Sequence, residues 1–118
     1  MTPLYDVLSA YSVLGGGPNQ VPEQRVKLAM AVRAKNAHWR IGEIRYRHWL
    51  AVARRHGLEQ EFREMVAYII EQTPSVVDAA AMKLPRDFPQ YVFDAIVGGL
   101  RVGVDRFAKM AADESTVR

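Results

Sequence analysis

Apolar residues recur at helical spacing over three stretches of the chain. From Ile44 to His56 the repeat gathers Ile44, His48, Trp49, Val52 and Ala53 on one side, leaving Arg47, Arg54 and Arg55 largely outside that stripe. Gly57 is a natural terminator, because glycine accepts the left-handed conformation just past a helix end. The longest stripe runs Leu58, Phe62, Met65, Val66, Ile69, Ile70, Thr73, Val76, Val77 and Ala80. Pro74 interrupts it, removing one intrahelical hydrogen bond and crowding the preceding turn. A kink or short break is expected there, with Thr73 capping the helix on its far side. The third stripe contains Val92, Ile96, Leu100, Val104, Phe107 and Ala111, with Asp87 as N-cap and Pro89 in the first turn. Gly98, Gly99 and Gly103 each weaken this helix by about 1 kcal/mol relative to alanine, which predicts close approach by a neighbouring helix. Polarity rises after Phe107, and residues 113–118 are expected to fray.

The first forty residues have a different pattern. Pro3 and the run Gly15-Gly16-Gly17-Pro18-Asn19 bracket a segment, Asp6 to Tyr11, that suits one or two helical turns. Further on, Ala29 to Arg33 and Ala37 to Ile41 flank Ala34-Lys35-Asn36, where the asparagine tolerates positive φ, so a hairpin is the expected element. Helical periodicity competes there, since Val26, Ala29, Met30 and Arg33 also share a face. The chain therefore reads as a mainly α unit spanning residues 1–118: a short N-terminal segment, a β-hairpin and about three long helices.

Composition narrows the class. At 118 residues, 49% hydrophobic and 25% charged, the chain suits one domain or part of one, and its apolar content excludes disorder as the main state. The absence of cysteine excludes disulfides, Cys-ligated zinc, iron–sulfur clusters and thiol catalysis. No apolar run approaches the roughly 20 residues of a membrane helix, and the first residues lack the basic and apolar regions of a secretory signal. A soluble cytoplasmic protein without membrane contact is the expectation.

Sixteen Lys and Arg stand against thirteen Asp and Glu, a formal charge of +3, but their distribution is uneven. Between Arg25 and His56 nine bases face a single acid, Glu43, which gives a local positive potential. Both a solvated polar face and an anion-facing surface fit that pattern.

Catalytic signatures are sparse. His48 and His56, if helical, lie about 12 Å apart, too far to share a metal. No HExxH, Gly-x-Ser-x-Gly or Gly-Lys-Ser/Thr motif occurs. The run Gly15-Gly16-Gly17 is succeeded by Pro18, which has no amide donor, and reads as a flexible connector. Asp6 admits two roles: an N-cap for the apolar turn after it, or a metal ligand at the mouth of a helical turn.

Four motifs resemble, in order, the C-terminal helical lobe of HipA-type toxin kinases. They are Thr2-Pro3-Leu4-Tyr5-Asp6-Val7-Leu8-Ser9-Ala10-Tyr11, the stretch from Lys27 to Trp39, Arg47-His48-Trp49-Leu50, and Leu84-Pro85-Arg86-Asp87-Phe88-Pro89. That family comprises serine/threonine protein kinases acting as toxins beside a DNA-binding antitoxin of the HipB type. The resemblance implies a C-terminal kinase-lobe fold and matches Asp6 to the family's metal-binding aspartate. It also implies Mg²⁺ and ATP as cofactors of the whole kinase. The phosphate-covering loop, the lysine, the catalytic base and the second metal ligand that phosphoryl transfer needs lie, in the family, ahead of the Thr-Pro-Leu-Tyr-Asp motif. Here that motif begins at Thr2. The chain is accordingly expected to lack the kinase core, to bind neither Mg²⁺ nor ATP alone, and to be inactive alone.

Its partners by this resemblance would be the missing core, a HipB-type antitoxin and operator DNA. Arg40, Arg47, Arg54 and Arg55 are candidate phosphate contacts. Apolar surface near Leu4, Tyr5, Leu8 and Tyr11 is expected to be exposed, giving homo-association or marginal stability.

Overall fold

A computed structural model describes residues 8–116. Its elements run as a single 3₁₀ turn at Tyr11–Val13, a second at Glu23–Arg25, strands β1 (Lys27–Arg33) and β2 (Ala37–Arg40), a third 3₁₀ turn at Ile41–Glu43, then helices α1 (Tyr46–Arg55), α2 (Glu59–Lys83) and α3 (Gln90–Thr116). The chain is mainly helical. Among the described residues no helix is long and apolar enough to cross a membrane.

The hairpin is antiparallel and irregular. Lys27 pairs with Arg40, Val32 with His38 and Arg33 with Ala37. Four residues of β1 therefore face one of β2, Trp39, and the resulting bulge pushes Met30 outward to 82% exposure. The strand reading prevails over the helical one because Val32 alone turns fully inward while its neighbours along β1 stay more open.

Helix α1 is shorter than its stripe suggests and buries two sides: Ile44 and His48 of the stripe are buried as expected, His48 against the hairpin, but so are Tyr46 and Leu50. Tyr46 and Leu50 form the core with Val66 of α2, whereas Trp49 is substantially exposed. Its end matches expectation: Gly57, at φ 70°, lets its own N–H reach the Arg54 carbonyl at 3.1 Å and the Leu58 N–H reach that of Ala53 at 2.9 Å.

Helix α2 neither breaks at Pro74 nor uses Thr73 as a cap. The Thr73 hydroxyl instead donates to the Ile69 carbonyl at 2.6 Å, and Ser75 to that of Gln72 at 3.0 Å. Proline removes only its own N–H, and the inward residues on either side, Val66 and Val77, hold the register across it.

Helix α3 starts one residue after Pro89, whose carbonyl accepts the N–H groups of Val92 and Phe93. Asp87 lies ahead of this, in the turn closed by Phe88 N–H on the Pro85 carbonyl, and so is not the N-cap. The helix continues to Thr116 rather than fraying at 113, with Ser115 and Thr116 bonded back to the Ala111 and Ala112 carbonyls. Gly99 and Gly103 do meet a neighbour, but it is a ring, not a helix: Tyr11 lies directly against Gly99, and a methyl at Gly103 would sit 3.2 Å from the Tyr11 hydroxyl, whereas a methyl at Gly98 would meet nothing within 4 Å. Among the described residues the N-terminal turn forms at Tyr11–Val13, while the start of the segment expected from Asp6 lies outside them. The Gly15–Gly17 loop is pinned rather than free, Gly17 N–H donating to Gln20 Oε1 at 2.9 Å and Val21 N–H to the Val13 carbonyl at 2.8 Å.

The core is small for this length. Its buried apolar residues are Val32, Ile44, Tyr46, Leu50, Val66 and Val77, while α3 contributes only partly buried Phe107, Met110 and Ala111. A compact protein of 13.3 kDa would expose about 6,400 Å² and have a radius of gyration of about 13.5 Å. This chain exposes 9530 Å² with a radius of 16.1 Å. Much apolar surface stays open, including Leu8 at 88% and the outer side of α2; Leu4 and Tyr5 fall outside the described residues.

Candidate anion-facing surface and its histidine pair

The four candidate arginines do not present four free charges. Arg54 is held at the C-terminal end of α1, and the Gly57 turn brings Glu59 back beneath it. The two make a forked contact, Nε–Oε2 at 2.7 Å and Nη2–Oε1 at 3.0 Å, and the Glu59 bond pushes the arginine pKa upward. Glu59 also accepts from Arg63 at 2.9 Å, so its carboxylate is shared. Arg55 reaches across to the hairpin and donates to the Ala34 carbonyl at 2.9 Å. That bond ties α1 to the β-turn and leaves the guanidinium charge without an acid among the described residues.

Arg40, at the end of β2, lies 3.9 Å from Glu43, and both side chains are more than half exposed, a geometry worth little stability. Arg47 projects from the first turn of α1 with no ion-pair partner among the described residues.

The hairpin adds a cation that charge counting along the sequence did not single out. Lys27 is the register partner of Arg40, so two like charges sit opposite each other on the ladder. Beside them the bulge opens a shallow groove lined by Lys27, Ala37, His38, Trp39, Arg40 and Glu43. The accessible positive charge therefore lies at the open end of the hairpin and the start of α1, with Arg55 at the hairpin's turn, while Arg54 is neutralised locally.

Between these elements sits a packed histidine pair. The rings of His38 and His48 stack with centroids 3.9 Å apart and planes 13° from parallel. His48 is 8% exposed, and its Nδ1 accepts the Arg45 N–H at 3.0 Å. That bond satisfies the amide at the helix N-cap, the part glutamate or glutamine usually plays three residues into a helix. It requires an unprotonated Nδ1. Burial lowers the His48 pKa below its ordinary value, and the positive charges of His38, Arg47 and Arg45 lower it further.

Because the folded state favours neutral His48, its contribution is complete above the unfolded histidine pKa of about 6.5. It is lost as pH falls below that value and through the depressed folded pKa. Thermal unfolding midpoints should therefore drop from about pH 7.5 towards about pH 5. His48→Gln keeps an acceptor but cannot titrate, and should flatten that part of the profile; equal slopes for the two proteins would refute the assignment.

Asp6, the metal-ligand candidate, lies outside the described residues. Among the described residues no three His, Asp or Glu side chains converge as a metal site. No family model matches the chain.

Proposed function

We propose that the chain is the C-terminal helical lobe of a HipA-like serine/threonine protein kinase, carrying the metal-binding aspartate as Asp6 and inactive by itself. The observation that supports the reading is the exposure of large apolar side chains on a mainly helical unit, Leu8, Tyr68 and Met82 among them. A lobe that normally packs on a kinase core would leave such surface when alone. The ordered run of resembling motifs supplies the identity of that core. Mg²⁺ and ATP belong to the whole kinase, because magnesium is held by one or two carboxylates together with substrate phosphates. In that family the groups that grip those phosphates lie ahead of the Thr-Pro-Leu-Tyr-Asp motif.

Reading the coding DNA upstream of codon 1 tests this. An in-frame or frameshifted segment encoding the lysine, the catalytic aspartate and the asparagine is expected; a long unrelated region there would contradict it.

A second reading, a basic module that meets an antitoxin or operator DNA, is favoured by Lys27, Arg47 and Arg55, which have no acid partner among the described residues, and by the weakly paired Arg40. Duplex binding through about three phosphates should weaken roughly fortyfold between about 50 and 200 mM salt. Arg47→Ala should weaken it more than Arg54→Ala, since Arg54 is already paired with Glu59. Absence of binding at low salt would dispose of this module.

A further inference from the structure

The open end of the hairpin sets two cations where a β-ladder ordinarily avoids them. Lys27 begins β1, Arg40 ends β2, and the two are register partners. Directly opposed side chains of an antiparallel pair stand on one face of the sheet with Cβ atoms about 5 Å apart, and like charges there repel. Lys27 has no acidic partner among the described residues. Arg40 meets Glu43 at 3.9 Å, with both side chains more than half exposed.

Alternation along β2 puts His38 on the same face as Arg40. Its ring is held by the stack on His48, 3.9 Å away. Lys27, His38 and Arg40 line one groove beside the bulge, so strand register and surface shape bring the same three residues together. Charge on an exposed strand also guards against edge-to-edge pairing. That role asks neither for two cations opposite each other nor for a fixed histidine beside them. A tetrahedral oxyanion uses all three: its oxygens accept from an ammonium, a guanidinium and an imidazole N–H at once, and its charge relieves the repulsion across the ladder.

We propose that this groove binds a phosphate group between Lys27 and Arg40, with His38 as the third donor. The site deepens the basic-module reading and rests on it only for the source of the phosphate, a nucleic-acid backbone rather than a free phosphate ester. Glu43 also lines the groove and opposes the ligand; its carboxylate gives up Arg40 on binding.

The two tryptophans report on it, since Trp39 lines the groove and Trp49 of α1 does not. The full chain is titrated with inorganic phosphate, against chloride at equal ionic strength, and both indole N–H signals are followed by NMR. Phosphate is expected to move the Trp39 signal to saturation and leave that of Trp49 in place. Lys27→Gln and Arg40→Gln should each weaken binding about fivefold, the worth of one exposed charge contact. Glu43→Gln should tighten it about threefold by removing the competing carboxylate. All three positions are exposed, and circular dichroism checks that each variant stays folded. A short DNA duplex is then added to the phosphate-bound chain. Displacement of the phosphate makes nucleic acid the source, and no displacement makes it a free ester; either result upholds the groove. Duplex binding without a phosphate-specific Trp39 shift would leave the basic module standing and overturn this site. So would an equal shift in chloride, or binding undiminished in both Lys27→Gln and Arg40→Gln.

Discussion

Replacing Tyr46 by alanine should cost about 3–5 kcal/mol, a large share of the roughly 5–15 kcal/mol that holds a domain together. Tyr46 is 3% exposed and its ring meets Phe62 of α2 at 5.3 Å and Phe107 of α3 at 5.4 Å, so one side chain joins all three helices. Its hydroxyl accepts a long bond from Arg63 at 3.4 Å, a small addition to the ring's packing. Tyr46→Phe keeps the ring and should lose only about 0.5–1 kcal/mol. Urea unfolding midpoints distinguish the two; similar losses for alanine and phenylalanine would show that the ring is not the hub.

Leu50→Ala comes next, with an expected loss of about 2–5 kcal/mol. Leu50 is the one large side chain fully enclosed among the described residues, so truncation leaves a cavity that only three helices can collapse upon. Leu50→Met preserves volume and should cost under about 1.5 kcal/mol. Because Tyr46 and Leu50 are one turn apart and share the Val66 contact, the double alanine variant should lose less than the sum of the singles. A fully additive pair would place them in separate cores.

Those two positions mark where the sequence was hardest to read. The stripe through α1 favoured Trp49, the larger apolar residue, yet Trp49 faces out and Leu50 faces in. A ten-residue helix covered on two sides, by the hairpin at His48 and by α2 and α3 at Tyr46 and Leu50, does not reduce to a single stripe, and Ala51, Val52 and Ala53 blur it further. In α2 the periodicity was strong but merged two faces: Phe62, Val66, Ile70 and Val77 belong to the core, while Met65, Ile69 and Val76 do not. Spacing reveals that a side is apolar; it does not reveal whether anything covers it.

The hairpin was legible from Asn36 and the flanking runs. Its bulge was not, since nothing local shows that four residues of β1 oppose Trp39 alone. Electrostatics divided in the same way. The basic excess of residues 25–56 is plain in the sequence, but the neutralising acid of Arg54 lies beyond Gly57, and only the left-handed turn there brings Glu59 into reach. The His38–His48 stack joins residues ten apart in different elements and has no sequence signature.

The open surface and the accessible cations bear on the same question, whether this unit acts alone or completes something larger. The core that must hold the unit together is small, and among the described residues α3 has none that is fully buried.

Calorimetric titration of the purified 118-residue chain with Mg²⁺-ATP, paired with an assay for phosphate transfer to protein, is the decisive measurement for the proposal of a kinase lobe inactive by itself. No heat of specific binding and no transferred phosphate are expected. A site of micromolar affinity, or phosphate moved to any acceptor, would contradict that reading.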